Sequence, residues 1–207
     1  MIKAYDLLNR YKKLSKEECA ANFRINGHTT KIMKQTNTKK LAVAAVFCAV
    51  AVAGSLFSFP VFGSKCSPVQ HMVNILCAVL LGPGYGLGAA FAAALIRNLL
   101  GLGSLMAFPG SMIGALCCGL AYMAFRKLWL TCIAEASGTG ILGGLAAYPV
   151  AKLFMGLNPG GLFVYIVPFL VSTVVGSILA YFLVGALQKG GVISQIRPER
   201  TSVLKKS

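Results

Sequence analysis

The chain has 207 residues, of which 57% are hydrophobic and only 12% charged, and its mean hydropathy is +0.73. Soluble domains are about a quarter charged, so this composition excludes an ordinary soluble enzyme and predicts an integral membrane protein. The net charge of +15 does not indicate nucleic-acid binding, because fifteen of the 20 Lys and Arg residues lie before Leu41 or after Leu187, flanking the apolar region.

Residues 1–38 are polar and basic and are predicted to form a cytoplasmic N-terminal tail. Apolar residues near helical spacing predict an amphipathic surface helix between Lys3 and Lys16, with an unstructured tail as the alternative. A third interpretation places the start of translation at Met33. The first apolar run is too long for the core of a signal peptide. We therefore divide the chain into this tail, a membrane domain over 39–188 and a basic cytoplasmic tail over 189–207.

Six apolar runs in the membrane domain predict an all-α bundle of six transmembrane helices, because the runs are continuous and do not alternate as barrel strands do. The runs are Leu41–Phe59, Pro68–Leu81, Tyr85–Leu100, Gly110–Phe125, Leu128–Pro149 and Leu162–Leu187. The connections, including a predicted loop over Pro60–Ser67, leave no room for a soluble catalytic domain.

In the first run, Ala45, Ala49 and Ala53 recur every four residues. Small residues at this spacing allow a second helix to approach closely. The alanine face therefore predicts close helix packing, either within the chain or against a partner subunit.

The basic residues predict that both termini are cytoplasmic. With this orientation, seventeen of the 20 Lys and Arg residues lie inside, and only Lys65, Arg97 and Lys152 lie at the outer ends of helices or in outer loops.

Polar side chains are concentrated at the outer ends of the second and third helices. Gln70, His71 and Asn74 share one side of the second helix, with Lys65 just before it, and Arg97 and Asn98 end the third. Buried charge is costly in a bilayer, so we expect these groups to face each other and line a small-molecule pocket.

Glu135 is the only acid between Glu18 and Glu199, and Thr139 follows one helical turn later. An intramembrane carboxylate requires a hydroxyl, an amide or a basic partner, or is protonated, so Glu135 has either a structural or a ligand-binding role.

Aromatic residues near the predicted pocket could stack on a flat ligand. They are Phe57, Phe59, Phe62, Phe108 and Tyr148.

Several chemistries lack the residues that they need. The sequence contains no nucleotide-binding Gly-x-x-x-x-Gly-Lys-Ser/Thr, no paired intramembrane carboxylates and no zinc-ligand spacing. Its seven cysteines form no Cys-x-x-Cys and are expected to be small packing residues. A membrane-embedded enzyme and a purely structural subunit remain the alternatives to a binding protein.

Three motifs carry a resemblance to a known family. They are the Lys65-Cys-x-Pro-Val-Gln-His-x-Val-Asn74 run, the Arg97-Asn-Leu-Leu-Gly run and the Ala107-Phe-Pro-Gly-Ser-Met run, followed by Glu135-x-x-Gly-Thr-Gly. Over roughly Thr38 to Leu187 the sequence resembles the ThiW family, predicted substrate-binding (S) components of energy-coupling factor transporters.

The resemblance implies a six-helix S component that binds the thiazole precursor of thiamine, hydroxyethyl-methylthiazole, from outside. The alternative ligands are thiamine and its pyrimidine half. It also implies association with a membrane T subunit, which the alanine face would contact, and with two cytoplasmic ATPases. This chain itself would need no cofactor, since the ATPases use the ATP.

Overall fold

The structure, a computed structural model, describes residues 37–61 and 64–190. Contacts divide the chain into two compact units, Met1–Ala42 and Val43–Ser207. Of the first unit, the structure describes only residues 37–42, which begin the first helix. The predicted surface helix over Lys3–Lys16, the alternative start at Met33 and nearly all of both tails lie outside the described residues.

The described residues form six helices and one β-hairpin, which confirms the predicted all-α class and the helix count. The elements are α1 (Asn37–Phe57), β1 (Phe59–Val61), β2 (Ser64–Cys66), α2 (Pro68–Leu80), α3 (Pro83–Leu99), α4 (Ala107–Phe125), α5 (Leu128–Phe154) and α6 (Ile166–Lys189).

Four of these helices, α1, α4, α5 and α6, are long and apolar enough to cross a membrane. The other two are shorter: α2 has 13 residues and α3 has 17. At 1.5 Å per residue they are about 20 and 26 Å long, against a hydrocarbon core of about 30 Å. Four of the six predicted spans are therefore long enough for a complete crossing, and α2 and α3 are shorter than the hydrocarbon core.

The segment before α2 was predicted as a loop, but it contains a short antiparallel hairpin in which Phe59 pairs with Cys66. Its second strand is tied to the start of α6, because the Cys66 thiol donates to the Pro168 carbonyl over 3.1 Å. Burial raises the pKa of this thiol, which keeps it protonated as a donor. Ser67 N–H donates to Ser172 Oγ over 3.0 Å. The hairpin therefore fixes where α2 begins.

Helix α2 lies at the centre of the bundle, and 11 of its 13 residues are buried. One side, including Val73 and Cys77, packs with small residues of α1 and α3. Another side, with Ile75 and Val79, packs against Ala180 of α6. These contacts occupy the apolar faces of α2 and leave its polar face towards α4 and α5.

Helix α5 was predicted to end near Pro149, but it continues to Phe154 with the proline inside it. It also contains a π-helical segment, Gly138–Gly143. The glycines allow close packing: a Cβ on Gly140 would overlap the Leu170 side chain, and one on Gly143 would lie 2.8 Å from Gly110 Cα. Such irregular turns are tolerated in a membrane bundle because the neighbouring helices supply alternative packing and hydrogen bonds.

Candidate functional site

A small cavity lies where the first turns of α2 and α4 meet the last turn of α3, the π segment of α5 and the start of α6. Its volume is about 30 Å³, which is large enough for ordered water and far below the usual size of a pocket for a drug-sized ligand. Its lining is formed by Lys65, Ser67, Gln70, His71, Arg97, Ala107, Gly110, Ser111, Thr139, Phe169 and Ser172.

Beneath the cavity, the carboxylate of Glu135 gathers three donors. Its Oε1 lies 3.0 Å from His71 Nδ1, 3.0 Å from Asn74 Nδ2 and 3.1 Å from Thr139 Oγ1. Glu135 is completely buried, and it forms an ion pair with His71 when the imidazole is protonated. The sequence required a partner for this acid, and the structure supplies a base, an amide and a hydroxyl together.

A second set of hydrogen bonds extends this cluster to α3. Gln70 Nε2 donates to Asn74 Oδ1 over 3.2 Å, and Arg97 Nη1 donates to Gln70 Oε1 over 3.3 Å. Asn74 Nδ2 also lies 3.3 Å from the Ser111 carbonyl of α4. A continuous buried network therefore connects Glu135 to Arg97 and involves four helices. We refer to Gln70, His71, Asn74, Arg97, Glu135 and Thr139 as the polar network.

Gly114 of α4 makes room for the acidic end of the polar network. A Cβ at this position would overlap Thr139 Oγ1 and lie 2.8 Å from Glu135 Oε2. Gly176 does the same for α2, since a Cβ there would lie 2.7 Å from His71 Cβ. The close approach of α4 to α5, and of α6 to α2, therefore depends on residues without side chains, as in other tightly packed membrane helices.

Three buried polar atoms of the described residues have no hydrogen-bond partner: Ser67 Oγ, Arg97 Nε and Glu135 Oε2. Ser67 and Arg97 line the cavity. Buried polar atoms are rarely left unsatisfied, because each loses its hydration without compensation. Two free hydrogen-bonding positions at the cavity wall are what a site for a small polar ligand requires.

The electrostatics of the cavity are unbalanced. Lys65 and Arg97 both line it, whereas no acid does. Lys65 Nζ is exposed and donates to the Gly101 carbonyl over 3.2 Å. Among the described residues there is no group of three His, Cys, Asp or Glu side chains that could hold a metal ion.

The sequence profile of the ThiW family, described as thiamine-precursor transporter protein, matches residues 41–190. The chain belongs to the ThiW family. Among curated proteins, none matches it. Membership in a transporter family agrees with the apolar bundle and establishes the coarse function, which is membrane transport of a thiamine precursor.

All but one of the polar residues that we predicted for the site of this ThiW protein lie at the cavity or directly beneath it. Lys65, Gln70, His71, Arg97 and Thr139 line the cavity. Two further predicted residues lie beneath the cavity in the polar network, Asn74 of α2 and Glu135 of α5.

Asn98 is not brought to the cavity, contrary to expectation. Its Nδ2 donates to the Ala94 and Ser104 carbonyls, over 2.8 and 3.1 Å. These bonds close the turn between α3 and α4. Asn98 points away from the cavity because successive residues of a helix face different directions, and Arg97 takes the inward one.

Those predicted aromatic residues that the structure describes do not line the cavity either. Phe57 is 81% exposed, and Phe108 packs against Phe91 with ring centroids 5.8 Å apart. Tyr148 packs against the apolar cluster that includes Phe169 and is not itself part of the lining. Phe62 lies outside the described residues.

Phe169 is the aromatic wall instead, with its ring against Gly110, where a Cβ would come within 3.1 Å of it. Sequence reasoning also missed Ser67 and Ser172. The available signal was the small polar pair Ser172-Thr173 inside the otherwise apolar run that forms α6.

Proposed function

We propose that this ThiW protein is the substrate-binding subunit of an energy-coupling factor importer and that it captures hydroxyethyl-methylthiazole from outside the cell. The observation that carries this proposal is the polar network, which places buried donors and acceptors at a cavity inside an apolar bundle. Its family supplies the substrate class, a thiamine precursor.

The chemistry of the cavity suits a single flat ring with one ring nitrogen and one hydroxyl. Phe169 offers an apolar face, Thr139 and Ser67 offer hydroxyls, and Arg97 offers an unpaired N–H. Thiamine has two rings and a positive charge. It fits less well because both charged residues of the lining, Lys65 and Arg97, are cations.

The alanine face of α1 is the proposed docking surface for the T subunit. Ala45, Ala49 and Ala53 are exposed, whereas Ala44, Cys48, Ala51 and Ser55 are the α1 residues buried in the bundle. Packing within the chain therefore does not account for the alanine repeat. ATP hydrolysis by two partner ATPases would supply the energy, and this chain would bind and release its ligand without chemical turnover, with both termini cytoplasmic.

Two threonines of α5 provide a matched test of ligand binding. Thr139 lines the cavity, whereas Thr131 is equally buried but donates only to the Lys127 carbonyl, over 3.1 Å. Isothermal titration calorimetry of the purified chain with hydroxyethyl-methylthiazole should show binding that Thr139→Val weakens and Thr131→Val preserves. Mass spectrometry of small molecules released from the native protein should identify the same compound.

Two results would contradict the proposal. The first is that the purified protein gives no binding heat although thermal melting shows that it is folded. The second is equal affinity in the two threonine variants, because the ligand would then not contact the cavity.

A further inference from the structure

Arg97 is a buried cation without an acidic partner. Arg97 is only 3% exposed. Its one hydrogen bond runs from Nη1 to the neutral amide of Gln70, and its Nε has no partner. Glu135 is the only acid in the described part of the chain; its Oε1 contacts His71, Asn74 and Thr139, and neither of its oxygens contacts Arg97. A buried charge in this situation is destabilising unless a counter-charge arrives from elsewhere.

A second cation, a free hydroxyl and a helix N-terminus line the same cavity. Lys65 lines it from the hairpin, and its Nζ is held only by a backbone carbonyl, that of Gly101. Ser67 Oγ, on a residue only 4% exposed, is unpartnered at the first turn of α2. The first turn of α4 also borders the cavity, through Ala107 and Gly110. Helix N-termini carry partial positive charge, which favours an anion.

We propose that the end of the cavity formed by Lys65, Ser67 and Arg97 is an anion subsite, and that the transported precursor carries an acidic group there. This inference rests on the proposed function. The hydroxyl of hydroxyethyl-methylthiazole can carry a phosphate, so the matching substrate class is a small heteroaromatic alcohol in its phosphomonoester form. The ring then contacts Phe169 and Thr139, and the phosphate oxygens accept from Arg97 Nε, Ser67 Oγ and Lys65 Nζ.

A neutral ligand would leave this end of the cavity unbalanced. It could fill one hydrogen-bonding position, but the buried Arg97 would remain without a counter-charge. An anion satisfies the unpaired Nε and Oγ and neutralises charge in one step. Charge-assisted hydrogen bonds of this kind are shorter and stronger than neutral ones.

The test compares three probes by isothermal titration calorimetry on the detergent-purified full chain. The probes are hydroxyethyl-methylthiazole, its phosphate monoester and inorganic phosphate. We expect the ester to bind at least about tenfold more tightly than the alcohol, since one additional charge-assisted hydrogen bond is enough for that ratio. Inorganic phosphate should bind more weakly than the ester and compete with it.

Three variants locate the effect. Arg97→Gln should abolish the preference for the ester over the alcohol. Lys65→Gln should reduce the preference for the ester several-fold. Because Lys65 is exposed, this variant should fold, and it keeps the test valid if Arg97→Gln does not fold. Lys152→Gln removes an equal charge from an exposed position in the last turn of α5 and should leave the preference unchanged.

The outcomes separate this inference from the proposed function. If the alcohol binds and the ester binds no more tightly, the anion subsite is wrong and the thiazole-binding function stands. If the ester binds no more tightly than inorganic phosphate, the site is a general anion site and the substrate inference is wrong. If neither organic probe binds to folded chain, both proposals fail.

Discussion

Replacing Gly114 by alanine tests whether Glu135 and Thr139 really pack against α4. The added methyl group would overlap Thr139 Oγ1 and come within 2.9 Å of both carboxylate oxygens. The threonine therefore has to move, which breaks its 3.1 Å hydrogen bond to Glu135. Overpacking a core costs about 1–3 kcal/mol, and losing a buried hydrogen bond to a charged group costs about 1–3 kcal/mol more.

The expected loss of unfolding free energy is thus about 2–6 kcal/mol, which corresponds to roughly 4–24 °C in melting temperature for a chain of this length. The matched control is Gly88→Ala in α3, where an added Cβ meets nothing within 4 Å. Its expected effect is zero or slightly stabilising, because alanine favours a helix by up to about 1 kcal/mol over glycine.

A thiol-reactive fluorescent dye can report the melting of both variants in detergent. Cys66, Cys77 and Cys118 are free and buried, with exposures of 1% or less, so they react only when the bundle opens. Identical melting temperatures for Gly114→Ala and Gly88→Ala would refute the reasoning, because the acidic end of the polar network could not then lie against α4.

Three further predictions address separate parts of the molecule. Asn74→Ala should weaken ligand binding strongly, because it disconnects Glu135 from Gln70, whereas Asn98→Ala should lower the melting temperature without changing affinity, since Asn98 only closes a turn. Ser172→Ala should speed hydrogen exchange of the Ser67 amide by about fivefold, as expected for the loss of one hydrogen bond worth about 1 kcal/mol; unchanged exchange would contradict the tether to α6. Ala49→Leu should abolish uptake in cells and leave ligand binding to the purified chain intact, and normal uptake would exclude the alanine face as the docking surface.

The convergence of α2, α3 and α5 could be predicted because lipid offers no hydrogen bonds. Gln70, His71 and Asn74 share one helix face, and Glu135 and Arg97 interrupt other apolar runs, so each had to find partners inside the bundle. The periodicity of a helix and the cost of unpaired polar groups are both readable from a single sequence. This is why all six residues of the polar network were among the predicted residues.

The exact orientation of side chains at helix ends could not be predicted in the same way. Arg97 and Asn98 are neighbours, but a helix turns by about 100° between them, and only the first is directed into the bundle. The hairpin before α2 was hidden because Phe59–Val61 and Ser64–Cys66 are three residues each, too short to show alternation.

The irregular middle of α5 has a different cause. Its π segment inserts an extra residue in a glycine-rich stretch, and nothing in Gly138–Gly143 distinguishes that outcome from an ordinary α-helix. Phe169 was missed because the predicted aromatic residues were chosen for closeness in sequence to the polar residues. The ring that lines the cavity arrives on α6, about 100 residues after α2.

The shortness of α2 is itself part of the binding geometry. A helix of 20 residues would carry its N-terminus across the whole hydrocarbon core, whereas 13 residues cover only about 20 Å of it. The first turn of α2, with Gln70 and His71, can therefore open onto the cavity, and the partial positive charge of the helix N-terminus is directed towards it.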